Sequence, residues 1–429
     1  MPEMTMTNED VRADSGQDLA VAGPGEAGEI AGRGLSRPMA LLFALTCGLS
    51  VANIYFAQPL LDAMAQDFGI APAAIGMVMT ITQVGYAFGL ILIVPLGDLW
   101  DRRRLIVGQT TLSAIALLIV ATASHAAVLL AGMALVGMLA VVIQVLVALA
   151  ATLASPPERG RAIGTVTSGV VAGVLLARFA SGTLADIGGW RLVYLVSAGL
   201  MLAMAALLLR VLPHGRRTAL TGVAYLALLR STAALFVEER ILRERALFAF
   251  LIFANLNLFW NAIVLPLSAP PIALSHTSIG ALGIAGVAGA LAARNAGRLA
   301  DLGWGQRNTG LSLLLMLAAW APIACLQTSL WLLIAGVIML DFAIQAVHVT
   351  SQSLMVAARP DAASRLVGGY MVFYSIGSAT GAIASTIVYA AAGWSGVCIL
   401  GAGTSAAALL VWVITASRIE APAGCAATR

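Results

Sequence analysis

Apolar positions in this chain run in long, unbroken stretches separated by short polar breaks. Twelve such stretches predict helices at 38–60, 72–97, 103–124, 126–153, 160–185, 190–212, 246–269, 275–298, 308–326, 329–357, 364–391 and 393–416. Each matches the ~20 residues that a helix needs to cross the apolar core of a bilayer. The runs do not alternate apolar with polar, so a closed barrel is not expected, and helices are the remaining way to pair backbone groups in lipid. The breaks carry the charge. Leu96-Gly97-Asp98-Leu99-Trp100-Asp101-Arg102-Arg103-Arg104 separates spans 2 and 3, and a weaker copy, Gly297-Arg298-Leu299-Ala300-Asp301-Leu302-Gly303-Trp304-Gly305-Gln306-Arg307, separates spans 8 and 9.

Composition confirms the class. With 429 residues, 60% hydrophobic and only 10% charged, at a mean hydropathy of +0.94, the chain has too little polar surface to cover a soluble globule. It reads as an all-α integral membrane protein. All 24 basic side chains are arginine, which removes the lysine-containing phosphate loop of an ATP-driven pump. Cys47, Cys325, Cys398 and Cys425 show no metal-ligand or paired spacing, so no metal, cofactor or disulfide is expected.

The arginines orient the spans. If both termini are cytoplasmic, then Arg102 to Arg104, Arg159, Arg161, the group from Arg210 to Arg245, Arg298, Arg307, Arg359, Arg365 and Arg418 share one side, and the opposite loops hold essentially only Arg191. That asymmetry is the positive-inside pattern of a multi-pass protein in a bacterial cytoplasmic membrane. Residues 1–37, with seven acidic residues in the first 34 and no apolar periodicity, read as a disordered cytoplasmic tail and not as a secretory signal. Two six-helix halves, 38–212 and 246–417, are expected to flank a cytoplasmic linker at 213–245, with a second tail at 418–429. The basic linker fits a lipid-facing surface helix better than a nucleic-acid site, so no nucleic-acid partner is expected.

The halves also match each other. A shift of 204 positions places Ile75-Gly76 on Ile279-Gly280, Pro156 on Pro360, Arg161 and Gly164 on Arg365 and Gly368, and Gly189-Trp190 on Gly393-Trp394. Such a parallel duplication is characteristic of transporters whose halves are related by an axis along the membrane normal.

These features resemble the major facilitator superfamily of secondary transporters, whose loop after helix 2 follows Gly-x-Leu-Ala-Asp-Arg-x-Gly-Arg-Arg. Here Val94 and Asp101 stand at its two glycines and Leu99 at its first arginine, and the second copy keeps only Arg307 of the arginine pair. Asn53-Ile54-Tyr55-Phe56-Ala57-Gln58-Pro59-Leu60-Leu61 on span 1 and Leu175-Leu176-Ala177-Arg178-Phe179-Ala180-Ser181-Gly182 on span 5 look similar to bacterial arabinose-efflux and drug:proton antiporter permeases. The resemblance implies twelve helices in two pseudo-symmetric halves, a monomer in the bilayer, and a cavity lined by helices 1, 4, 7 and 10. It also implies a latch in which Asp98, with Arg102 and Arg103, meets the start of helix 11 at Arg365, and Asp301, with Arg307, meets the start of helix 5 at Arg161. A carboxylate suits that role, because it complements a helix N-terminus and a guanidinium together.

Polar groups deep in lipid are costly and mark a pathway. Asp341, Gln345, His348 and Gln352 fall at i, i+4, i+7 and i+11, a single stripe on span 10. Asn257, Trp260 and Asn261 on span 7, Asn53, Tyr55 and Gln58 on span 1, Gln144 on span 4, and Tyr370 and Tyr374 on span 11 complete the candidate pathway for solute and protons. Arg178 and Asp341 are the two charges well inside spans, at roughly 27 Å and 24 Å from the cytoplasmic ends of their helices. Matched depth predicts that they interact directly or through substrate, and that Asp341 exchanges a proton during the cycle; a static ion pair is the competing reading. The expected function is proton-coupled export of a small organic solute by alternating access. Symport or facilitated uptake is the alternative, and a non-transporting sensor the alternative of another class. The histidines are scattered and no nucleophile and base come together, so an enzyme is not expected.

Overall fold

In the computed structural model the residues described are 36–155, 158–213, 236–286, 304–359 and 363–416, with Tyr225, Arg230, Ala234 and Leu302. The tails, most of the linker and Asp301 lie outside them, as does the side chain of Asp98. Eight described helices are long and apolar enough to cross a membrane. Two of these, Arg159–Val211 and Ala363–Ala416, are about twice the length that one crossing requires, and each bends in its middle. Met77–Leu92 and the start of a helix at His276 bring the number of crossings to twelve.

We label them in chain order. α1 is Arg37–Phe68, α2 Met77–Leu92, α3 Arg102–Ala121 and α4 Ala126–Leu153. α5 and α6 are the two arms of Arg159–Val211, and α7 is Arg240–Ser268. α8 is described from His276 to Gly286, followed by α9, Gly305–Ala324, and α10, Leu330–Ala358. α11 and α12 are the arms of Ala363–Ala416. α7 begins at Arg240, earlier than the 246 expected from hydropathy, because a charged turn continues the helix beyond the lipid.

Local chemistry sets several ends. Ser36, Asp101 and Ser275 cap α1, α3 and α8 by accepting from the amides of Met39, Arg103 and Ser278. Asp101, within the charged loop, therefore has a structural task. The two bends fall at Gly189 (φ 77°, ψ 167°) and Gly393 (φ 63°, ψ −160°), the positions that the internal repeat superposes. Side chains beyond glycine are excluded from this backbone region.

Helices pack within each half, α1 and α3 against the α5–α6 hairpin and α7 against α11–α12, and the halves meet where α2 lies on α11 and α5 on α8. Close crossings of small residues build both interfaces. A Cβ on Gly169 or Gly173 would lie 2.0 or 2.2 Å from the Ala44 or Gly48 carbonyl of α1, and one on Gly377 or Gly381 would lie 2.2 or 2.1 Å from the Phe250 or Ala254 carbonyl of α7. These glycines therefore hold each half together, while Gly76, Gly182 and Gly280 form the seam between halves.

The seam is closed on the face opposite the arginines. Thr80 donates to the Ala379 carbonyl at 3.0 Å, Thr386 to that of Ala73 at 2.9 Å, and Ser375 to that of Gln83 at 2.5 Å. On the arginine-rich face, a Cβ on Gly160, Gly164 or Gly368 would meet nothing within 4 Å. Between α2 and α11 an apolar groove of about 440 Å³ opens sideways, lined by Val84, Phe88, Val372 and Ile376 among others. Large apolar side chains such as Leu45, Leu112, Ile399 and Leu410 are exposed around the outside, the inverse of a soluble protein and suited to lipid contact.

Candidate functional site

Breaks in two helices create the site. α1 is interrupted after Tyr55 and resumes through a 3-10 turn at Gln58–Leu60, and α7 is interrupted after Ala262, whose carbonyl loses its donor to Pro266. The polar groups of both helices cluster next to these breaks.

One continuous chain of contacts then crosses from half to half. The buried Arg178 of α5 donates from Nε to Gln58 Oε1 at 2.7 Å, and Gln58 Nε2 donates to Asn257 Oδ1 at 3.3 Å. The Arg178 guanidinium stacks on the Trp260 ring, 3.9 Å from its centre, and lies 5.3 Å from that of Tyr55. The Trp260 indole N–H donates to Asp341 Oδ1 at 3.3 Å. Trp260 therefore joins the two membrane-buried charges, one face taking the cation and the edge taking the carboxylate. No ion pair within 4.0 Å links Arg178 to Asp341, and among the described residues the two Nη groups of Arg178 have no acceptor. A void of about 10 Å³ lies between Gln58, Pro59, Arg178, Trp260 and Ile279, room for roughly one water.

A second cluster lies against the first. Tyr55 and Tyr374 share a 2.5 Å hydroxyl–hydroxyl hydrogen bond across the seam, Phe253 packs on Tyr374 with ring centres 4.1 Å apart, and His348 sits edge-on to Phe253 at 5.1 Å. His348 Nδ1 lies 2.9 Å from the Tyr370 hydroxyl and its Nε2 3.3 Å from Gln352 Nε2. Gln144 reaches the Tyr86 hydroxyl at 3.5 Å, and Tyr86 stands edge-on to Tyr374. Tyr86 and Phe253 were not singled out in the sequence, although Phe253 lies one helical turn before Asn257 on the same face of α7.

Three expected members make no side-chain bond to either cluster. Asn53 accepts from the Ser197 hydroxyl at 2.5 Å, inside the packing of α1 on α6. Asn261 donates back to the Asn257 carbonyl at 2.7 Å, and its own oxygen is buried without a partner. Gln345 is half-buried on α10 between Asp341 and His348 and makes no hydrogen bond among the described residues. Of the expected latch, Arg102 donates to the Gly97 carbonyl and Thr152, Arg103 to the Leu209 carbonyl, and Arg307 stacks on Trp304 at 5.8 Å. These contacts stay within one half. Arg161 is exposed and Arg365 half-buried, and both proposed acids, Asp98 and Asp301, fall outside the described side chains.

Comparison with known proteins follows the same outline. The family model described as Major Facilitator Superfamily matches residues 42–269, just over half of the chain. The chain belongs to the major facilitator superfamily. It is 45% identical over 378 residues to the "Uncharacterized transporter YgaY" of Escherichia coli O157:H7, covering 88% of this chain and 95% of that one. It is 32% identical over 404 residues to the "Probable transporter SCO4007" of Streptomyces coelicolor, covering 91% and 90%. In fold it is similar to the bacterial homologue of the human lysosomal transporter Spinster solved in an inward-facing, unoccupied conformation, with a TM-score of 0.70 at 16% identity, covering 92% and 96%. The chain is thus a multi-pass membrane transporter of the twelve-helix major facilitator type, and such transporters carry small-molecule solutes.

Proposed function

We propose that this transporter exports a small organic solute across the bacterial cytoplasmic membrane by alternating access, coupled to protons, with its arginine-rich face and both termini in the cytoplasm. The observation that carries the reading is the placement of Trp260 between Arg178 of one half and Asp341 of the other. Rocking of the halves alters this link between two charges held in lipid, so the link can report which face is open. A carboxylate removed from water favours its neutral form unless a cation compensates it. Movement of Arg178 away from Trp260 removes that compensation, and Asp341 takes up a proton; its return releases the proton to the other side. The Nη groups of Arg178, which have no acceptor among the described residues, and the rings of Tyr55, Tyr374, Phe253 and Trp260 receive the solute through an acceptor group and an apolar body. Export is supported by the likeness of the Asn53–Leu61 and Leu175–Gly182 segments to efflux permeases. The positive-inside pattern supports the orientation.

A thermal-shift screen with amino acids, sugars, nucleosides and cationic drugs identifies a solute, and transport is then measured in proteoliposomes. Asp341→Asn is expected to lose solute accumulation driven by a pH gradient while keeping solute exchange at zero gradient. Full gradient-driven transport by Asp341→Asn refutes the coupling.

A further inference from the structure

The closed face carries a titratable cluster that the central site does not use. His276 is the first residue of α8, in the half that contains Asp341, and it projects between two acids of the other half. Its Nε2 lies 3.1 Å from Asp62 Oδ1, just past the break in α1, and its Nδ1 lies 3.2 Å from Asp186 Oδ1, next to the bend between α5 and α6. Asp186 also accepts the His276 amide at 3.2 Å and the Thr277 amide and hydroxyl at 2.8 and 2.6 Å. A Cβ on Gly182 would sit 2.2 Å from the His276 carbonyl, so the backbones of α5 and α8 touch beside this cluster. Five polar contacts thus bind the two halves at one point, at the aqueous rim, where the His276 side chain keeps 26% of its exposure and Asp186 29%.

We propose that His276, clasped between Asp62 and Asp186, is a second proton-binding site of the transporter, and that a proton taken from the solution on this face locks the face shut. Both ring nitrogens point at carboxylates. Neutral imidazole has one N–H and satisfies one of them; imidazolium has two and satisfies both, with charge assistance. Asp62 and Asp186 are the ionisable groups acting on the imidazole, and the nearby Asp67 is occupied by Arg191 and Trp190. Opening the face pulls α8 from α1 and α5 and leaves His276 in water. The Asp62 hydrogen bond, against the effect of burial, raises the pKa of His276 in the closed state. The sign follows: the clasp is at full strength below the ordinary histidine value of about 6.5 and is lost as pH rises through the higher closed-state value. Acid on this side therefore favours closure. With this face exterior, acid outside favours the outward-to-inward step, whether or not Asp341 carries the transported proton.

Hydrogen–deuterium exchange of the full chain in lipid nanodiscs tests this without a known solute. After correction for intrinsic exchange, amides of 181–190 and 273–284 are expected to be protected severalfold more at pH 5.5 than at pH 8, up to about tenfold per unit by which closure raises the histidine pKa. His276→Gln should abolish the step, and Asp62→Asn should move its midpoint to lower pH. A flat wild-type profile, a step that survives His276→Gln, or an unshifted midpoint in Asp62→Asn overturns the proposal. The wild-type and Asp62→Asn profiles decide it even if His276→Gln does not fold.

Discussion

At the scale of single residues, Trp260 has two separable duties: its ring supports Arg178, and its N–H holds Asp341. Trp260→Phe keeps the first and removes the second. It is expected to preserve solute binding within about threefold and to reduce gradient-driven transport by tenfold or more, whereas Trp260→Ala loses both; the hydrogen bond and the cation–π contact are each worth about 1 kcal/mol or more when desolvated. Binding and proteoliposome uptake, measured side by side, separate the two. Asn255 is buried in the same helix but does a different job. Its NH2 lies 2.8 Å from the Gly401 carbonyl and from the Thr404 and Ser405 hydroxyls, and its oxygen accepts from Trp320 at 3.2 Å. Asn255→Leu is expected to cost about 1–2 kcal/mol of stability, the usual range for such bonds between membrane helices. The check is a lower unfolding temperature with an unchanged pH dependence of transport.

At the scale of elements, the bends at Gly189 and Gly393 turn two double-length helices into hairpins. Each glycine adopts a backbone conformation that costs other residues about 1–3 kcal/mol. Gly189→Ala and Gly393→Ala are each expected to lower the unfolding temperature in detergent, and their effects should add, because the bends lie in different halves. Gly199→Ala, on α6 with nothing within 4 Å of its would-be Cβ, is the control and should unfold like the wild type. The same elements show where helix breaks serve a site. The interruptions of α1 after Tyr55 and of α7 after Ala262 lie beside Gln58 and Trp260, so the most irregular backbone in each helix sits where polar groups are needed.

At the scale of the molecule, this conformation is closed on the face that carries His276, while on the face that carries the arginines the described Gly160, Gly164 and Gly368 border open space. The proposed orientation makes the closed face exterior. In a chain whose native cysteines are replaced, Ser124→Cys is expected to react with a membrane-impermeant thiol reagent in intact cells, and Gly160→Cys only after permeabilisation. The reverse labelling would invert the orientation and the side from which His276 draws its proton.

Much of this was legible in one dimension. Span number, the pairing of Gly189 with Gly393 and the arginine asymmetry follow from hydropathy and repetition, because lipid penalises any exposed backbone or charge and leaves little choice of structure. Arg178, Asp341, Tyr55, Gln58, Trp260 and Tyr374 were legible as a set, since depth along a helix can be counted from its ends. Their partners were not. Only the packing of α1, α5, α7 and α10 put Trp260 between the two charges and sent Asn53 to Ser197 instead. Nor did any spacing connect Asp62, Asp186 and His276, which lie up to 214 positions apart and look, one by one, like ordinary loop residues. Sequence alone determined which segments cross the membrane, because that is decided by local transfer energy. Tertiary structure decided which polar groups meet and which face is shut, because those depend on how the two halves are set against each other.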